Sequence, residues 1–151
     1  MWDKKQFWAK RRLVPVDARN KQAQLKKAMR AALMPEVWDF RFSQTLDAAL
    51  RGDKEHAALY RLRENGRFAW DVSHRVPVSV LRRNFLLENN LCCEDLNLVG
   101  YGLRAPHLEM WRDFHRRYSA EHKNLFLQPR RQNGREARAW VPLPSREHGS
   151  F

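Results

Sequence analysis

The chain has 151 residues, 43% of them hydrophobic and 30% charged, with a mean hydropathy of −0.75 and a formal net charge of +12. That length holds one ordinary domain or a smaller one with tails. The apolar share excludes a fully disordered chain, and the charged share limits the core to a modest one. No apolar run approaches the ~20 residues of a membrane-spanning helix, and no secretory h-region is present. The only cysteines, Cys92 and Cys93, are neighbours. Adjacent cysteines make a strained disulfide, so free thiols in a reducing compartment are expected.

Residues 1–16 read as a basic-aromatic arm, with Trp2, Phe7 and Trp8 set among Lys4, Lys5, Lys10, Arg11 and Arg12. Pro15 bars a helix from continuing, and Asp17 can cap a new one. From Asp17 to Met34 the spacing is helical: Leu25, Ala28, Met29, Ala32 and Leu33 recur every third or fourth residue. Arg19, Lys26 and Arg30 fall on the other side, and Pro35 ends the run.

Residues 36–42 alternate, which predicts a short extended segment that docks Trp38, Phe40 and Phe42. Ser43 is placed to cap a short helix to Leu50, stopped at Gly52. A second helix, capped by Asp53, is expected to run to about Asn65 and to end at Gly66, making 43–65 a helical hairpin. The carboxylates of this stretch, Asp47, Asp53, Glu55 and Glu64, lie near basic residues as helix-surface ion pairs would. Leu59-Tyr60-Arg61 matches the tripeptide of the mitochondrial LYR-motif proteins. That family carries it near the start of a three-helix bundle, whereas here it sits mid-chain shortly before Gly66, so it is read as coincidence.

Residues 68–72 read as a short extended piece, and Pro77 or Ser79 opens a helix through Leu81, Phe85 and Leu86 to Asn89-Asn90. The stretch from Leu96 to Gly102 is loop-like with room for one short strand. Pro106 suits the first turn of a last helix, with Leu108, Trp111, His115 and Tyr118 on one face. The pattern stops near Ala120. Residues 121–151 hold Pro129, Pro142 and Pro144 with Arg130, Arg131, Arg135 and Arg138, and read as an extended tail. The expected fold is therefore mainly α: a core of about four to five short helices over 17–120, with extended basic arms at 1–16 and 121–151.

The charge is unevenly spread. Residues 1–34 carry ten Lys or Arg against two Asp, while residues 35–66 carry five basic and six acidic residues. A charge kept only for solubility has no reason to divide this way, and basic ends around a neutral middle suit a polyanion. Trp2 and Trp8 can stack on unpaired bases while Lys4, Lys5, Lys10, Arg11 and Arg12 neutralise phosphates. Lys26, Lys27 and Arg30 extend that role along the first helix. The pairs Arg82-Arg83, Arg116-Arg117 and Arg130-Arg131 are further phosphate candidates, since guanidinium groups bind phosphate in a fork.

The six histidines form no i, i+4 pair, and there is no Cys-x-x-Cys, so no metal site is expected. No nucleophile elbow, P-loop or dinucleotide fingerprint is present. No cofactor and no small-molecule substrate is implied, and the chain is not read as an enzyme. The composition points to a structural protein of a mitochondrial-type ribosome, on the matrix side, that touches ribosomal RNA and other subunits of a large assembly. The alternative is a non-catalytic accessory subunit of a mitochondrial respiratory complex or ATP synthase, using the same features against protein and anionic lipid.

Overall fold

The computed structural model describes residues 16–130 and 143–146, with side chains from residue 20 onward. It is mostly helical with three small two-stranded sheets. Helix α1 spans Val16–Ala32 and turns Leu25, Ala28, Met29 and Ala32 inward, as their spacing requires. Pro35 lacks the N–H that would continue its ladder, so the backbone breaks at Leu33 and restarts. Leu33 donates to Arg30 O at 3.1 Å, Val37 donates to Leu33 O at 3.0 Å, and helix α2 runs over Met34–Leu50.

The extended segment expected at 36–42 is thus a helix, continuous with the short one expected after Ser43. Proline is tolerated in a first helical turn, so Pro35 starts α2 as well as stopping α1. Alternation misleads at 36–42 because α2 keeps large apolar residues on its outer face as well as its inner one.

After Gly52, whose φ is +81°, Asp53 accepts from His56 N at 3.1 Å and caps helix α3, Lys54–Leu59. This helix is six residues long and stops well before Asn65. Beyond it the chain forms a β-hairpin, β1 (Arg63–Glu64) on β2 (Arg67–Phe68), turned by Asn65 and Gly66 with φ of +54° and +76°. Positive φ at both central residues is the mark of a type I′ turn, and Asn-Gly is its preferred sequence. The hairpin therefore replaces the second half of the helical hairpin.

Strand β3 (Trp70–His74) pairs antiparallel with β6 (Leu125–Pro129), with Trp70 opposite Pro129 and His74 opposite Leu125. Between them lie α4 (Val78–Glu88), a 3-10 turn at Cys93–Asp95, a hairpin of β4 (Leu98–Val99) with β5 (Gly102–Leu103), and α5 (His107–His122). Pro77 and Pro106 stand at the N-caps of α4 and α5, close to where the prolines placed those helices.

The core joins Leu25 and Met29 of α1, Leu33 at the break after it, Leu81, Phe85 and Leu86 of α4, Leu103 of β5 and Trp111 of α5. It also includes Leu143, which is fully enclosed. The core therefore does not end at residue 120, because β6 and the segment 143–146 both belong to the packed body. Gln22 receives the Leu143 N–H on Oε1 at 3.2 Å and offers Nε2 to Leu143 O at 3.5 Å. Cys93 donates its N–H to Pro144 O at 2.8 Å, and Arg146 pairs with Asp95 at 2.6 Å. A proline-rich stretch shows no periodic face, so four residues that dock one leucine leave no pattern for a reading of periodicity to find.

Replacing Leu143 with Ala removes buried methyl groups and leaves a cavity beneath α1. The expected loss is about 2–5 kcal/mol of unfolding free energy, read as a fall in urea midpoint. An unchanged midpoint would mean that segment 143–146 does not close the core.

Candidate functional site

The phosphate candidates of the sequence fall in different surroundings. Trp2, Lys4, Lys5, Trp8, Lys10, Arg11, Arg12 and Arg131 lie outside the described residues. Lys27 and Arg30 are exposed on α1, Arg116 and Arg117 on α5, and Arg130 just beyond β6. Arg117 pairs with Asp113 one turn earlier at 3.0 Å. Lys26 and Arg83 are half-buried.

Arg82 is not on the surface. It is 8% exposed, its Nη1 donates to Lys26 O at 3.1 Å, and burial with nearby Arg30 lowers its guanidinium to about 10. It remains protonated and acts as an internal donor to α1. The doublet reading fails here because α4 is amphipathic: consecutive residues on a helix point about 100° apart, so Arg82 faces the core beside Leu81 while Arg83 sits nearer its margin.

The folded chain gathers a different basic group, one that doublets do not reveal. The β1–β2 hairpin exposes Arg63 and Arg67, and Arg61, which donates Nε to Ala57 O at 3.2 Å, is exposed just before it. Arg130 joins them through its N–H to Ala69 O at 2.9 Å, and Ala69 donates in turn to Leu62 O at 3.0 Å. None of these four arginines takes part in the described ion pairs. One aromatic ring, Phe68, lies beneath Arg63. The Arg63 and Arg41 guanidinium carbons sit 4.2 and 3.8 Å from the Phe68 ring centre, and Trp70 meets Tyr60 edge-on at 5.6 Å. Arg41 is itself buried and donates to Tyr60 O at 3.0 Å, so it fixes the hairpin to α2. A charged fork above a ring, as at Arg63, can meet phosphate oxygens without first losing much freedom. The sequence signal for this group is Asn65-Gly66, which specifies a hairpin more directly than it specifies a helix end.

A buried polar chain lies on another side of α2. His115 offers Nδ1 to Glu36 Oε2 at 2.5 Å, and its Nε2 stands 2.7 Å from His74 Nε2. With Nδ1–H donated to the carboxylate, the two Nε2 atoms share one proton between them. Burial, then the neighbouring His115 and Arg30, push the His74 imidazole down to about 3, so His74 is neutral near pH 7. The His115 side chain is fully enclosed. The chain therefore ties β3, α5 and the first turn of α2 into one body.

The Cys93 thiol is pushed up to about 11, chiefly by burial, which leaves it protonated and a weak nucleophile. Among the described residues no group of three or more His, Cys, Asp or Glu side chains could hold a metal ion. No described helix is long and apolar enough to cross a membrane. No family model, curated protein or solved structure matches the chain.

The histidine chain makes stability depend on pH. An unfolded His takes up a proton near pH 6.5, whereas folded His74 resists until about 3. Its contribution is thus complete above the unfolded value and falls as the pH drops below it, by up to about 1.4 kcal/mol per unit. Urea midpoints measured between about pH 7 and 5 should fall for the native chain and fall less for His74→Gln. Equal slopes for the two proteins would assign the acid sensitivity to another group.

Proposed function

We propose that this chain is a non-catalytic structural subunit of a mitochondrial-type ribosome, on the matrix side, that binds ribosomal RNA through its arginines. The observation that carries the reading is the exposed group Arg61, Arg63, Arg67 and Arg130 on and beside a tight hairpin, with the Arg63 guanidinium over the Phe68 ring. The net charge of +12 supports it, because such a charge is better tolerated against a polyanion. The exposed side of α1, with Lys27 and Arg30, offers further phosphate contact.

The basic arm expected at 1–16 belongs to the same proposal, and so does Arg131 beyond β6. Trp2, Lys4, Lys5, Trp8, Lys10, Arg11 and Arg12 would reach RNA and neighbouring subunits from one end, and Arg131 from the other. The accessory-subunit reading draws its support from the outward apolar face of α2, which suits protein rather than RNA.

Replacing Arg63, Arg67 and Arg130 together with Gln should weaken binding to structured RNA and reduce the salt slope by about one per lost phosphate contact, roughly three in all. Filter binding across a salt series measures this. The tagged native chain should also co-sediment with a ribosomal particle on a gradient and be released by ribonuclease. Salt-insensitive RNA binding, or sedimentation that ribonuclease leaves unchanged, would move the assignment to the accessory-subunit reading.

A further inference from the structure

The outer face of α2 is left largely open by the fold, apart from the contact of Trp38 with Phe68. Met34, Trp38, Phe42, Leu46 and Leu50 recur every fourth residue and are 44%, 47%, 71%, 47% and 77% exposed. Residues at this spacing form one continuous ridge, inclined about 26° to the helix axis. At a rise of 1.5 Å per residue the ridge is about 24 Å long. The opposite face already supplies the packing, with Arg41 and Ala48 buried. A solvated helix has charged residues where α2 has this ridge, so the helix is apolar on two sides. Phe68 adjoins the ridge, with its ring edge-on to Trp38 at 5.4 Å.

Charge decides what can cover the ridge. Beside it runs a second exposed row, Asp39, Ser43 and Asp47. Arg41, the one basic residue of α2, is buried. This helix therefore presents a negative surface on a chain of net charge +12. RNA phosphates or anionic lipid headgroups would meet those carboxylates with repulsion. A second copy laid antiparallel on the ridge would bring another row of aspartates beside them, and two such chains repel each other at long range. A helix flanked by lysine or arginine meets both the apolar ridge and the acidic row.

We propose that the outer ridge of α2 docks an amphipathic helix of a partner protein whose apolar stripe is flanked by basic residues. The partner's side chains enter the grooves on either side of Phe42, and ridges of this spacing interdigitate at a crossing angle near −50°. Trp38 and Phe42 are the anchors, while Asp39 and Asp47 select the partner and its orientation. The proposal stands on α2 alone, so it holds whether or not the arginine hairpin meets RNA.

The test uses the full chain, isotopically labelled for backbone resonances, and three designed helical peptides of about six turns. One carries a leucine stripe flanked by lysine, one the same stripe flanked by glutamate, and one the lysines with the stripe replaced by glutamine. The lysine-flanked leucine peptide should bind saturably, shift resonances of α2, and bind at least about tenfold tighter than the other two. Phe42→Ser should weaken it at least about tenfold. Asp39→Lys with Asp47→Lys should reverse the preference toward the glutamate-flanked peptide. All of these positions are exposed, and an unchanged urea midpoint would confirm that the variants stay folded.

Several results would overturn the proposal. Equal binding by the glutamine peptide would reduce the contact to plain charge. Shifts centred away from α2, or no binding by the lysine-flanked leucine peptide, would remove the site. A concentration-dependent dimer abolished by Phe42→Ser would give the ridge to a second copy, and RNA-induced shifts on α2 would give it to nucleic acid.

Discussion

A helix ends with carbonyls that lack partners, and in this protein the ending of α1 organises everything packed around it. Because the backbone breaks at Leu33, the last turn of α1 needs donors from elsewhere. Trp111 supplies its indole N–H to Met29 O at 2.7 Å, and Arg112 supplies Nε to Ala32 O at 2.9 Å. Both donors lie on α5, and Arg82 of α4 adds a bond to Lys26 O. Three carbonyls spaced three residues apart thus fix the positions of two other helices. The apolar contacts of Met29, Phe85 and Trp111 fill the space between, and Phe85 and Trp111 meet at a ring distance of 5.4 Å. A buried donor without an acceptor costs about 1–3 kcal/mol, so these bonds choose one packing among the many that greasy side chains alone would permit.

This arrangement also divides the surface. Once α1, α4 and α5 are locked, α2 starts at the Leu33 break, buries Arg41 and Ala48 and leaves its outer ridge exposed. The Phe68 ring, under Arg41 and edge-on to Trp38, then ties the hairpin to α2. Basic and acidic-apolar surfaces come from neighbouring stretches of chain and adjoin at Phe68, which lies under Arg63 and edge-on to Trp38. A nearly neutral middle section in the sequence is in the fold a positive hairpin beside a negative helix face.

The elements with one buried face are legible in the sequence. The α1 periodicity, the helix opened by Pro77 and the helix opened by Pro106 all follow from apolar residues on a single side. Where that condition fails, the reading fails with it. Residues 36–42 belong to a helix with apolar residues on both faces, which mimics alternation. Asn65-Gly66 imitates a helix end because Gly66 alone fits a C-cap, although the pair specifies a hairpin. Among the carboxylates expected in helix-surface ion pairs around 43–65, Asp53 instead meets Arg51 at 3.4 Å and His56 at 2.8 Å as the cap between two helices, and Glu64 lies on a strand. For the arginine group only Asn65-Gly66 is a local signal, since it sets the hairpin under Arg63 and Arg67, whereas Arg130 arrives through strand β6. The histidine chain is invisible for the same reason: Glu36, His74 and His115 are far apart in sequence, and no local spacing connects them.

The bonds between Gln22 and Leu143 have a consequence for biosynthesis. They link the first described helix to the last described segment, so the chain closes on itself like a clasp. A ribosome making this protein delivers α1 well before the clasp. Until residue 143 emerges, the inner side of α1 and its neighbours stays incompletely covered. Non-local closures of this kind form late, because the intervening chain must first be ordered. The nascent chain thus exposes apolar surface through most of its synthesis, and only a polypeptide that reaches the clasp can seal it. Any product cut short of residue 143 therefore lacks the clasp, and chaperones or proteases can recognise it by the uncovered first helix.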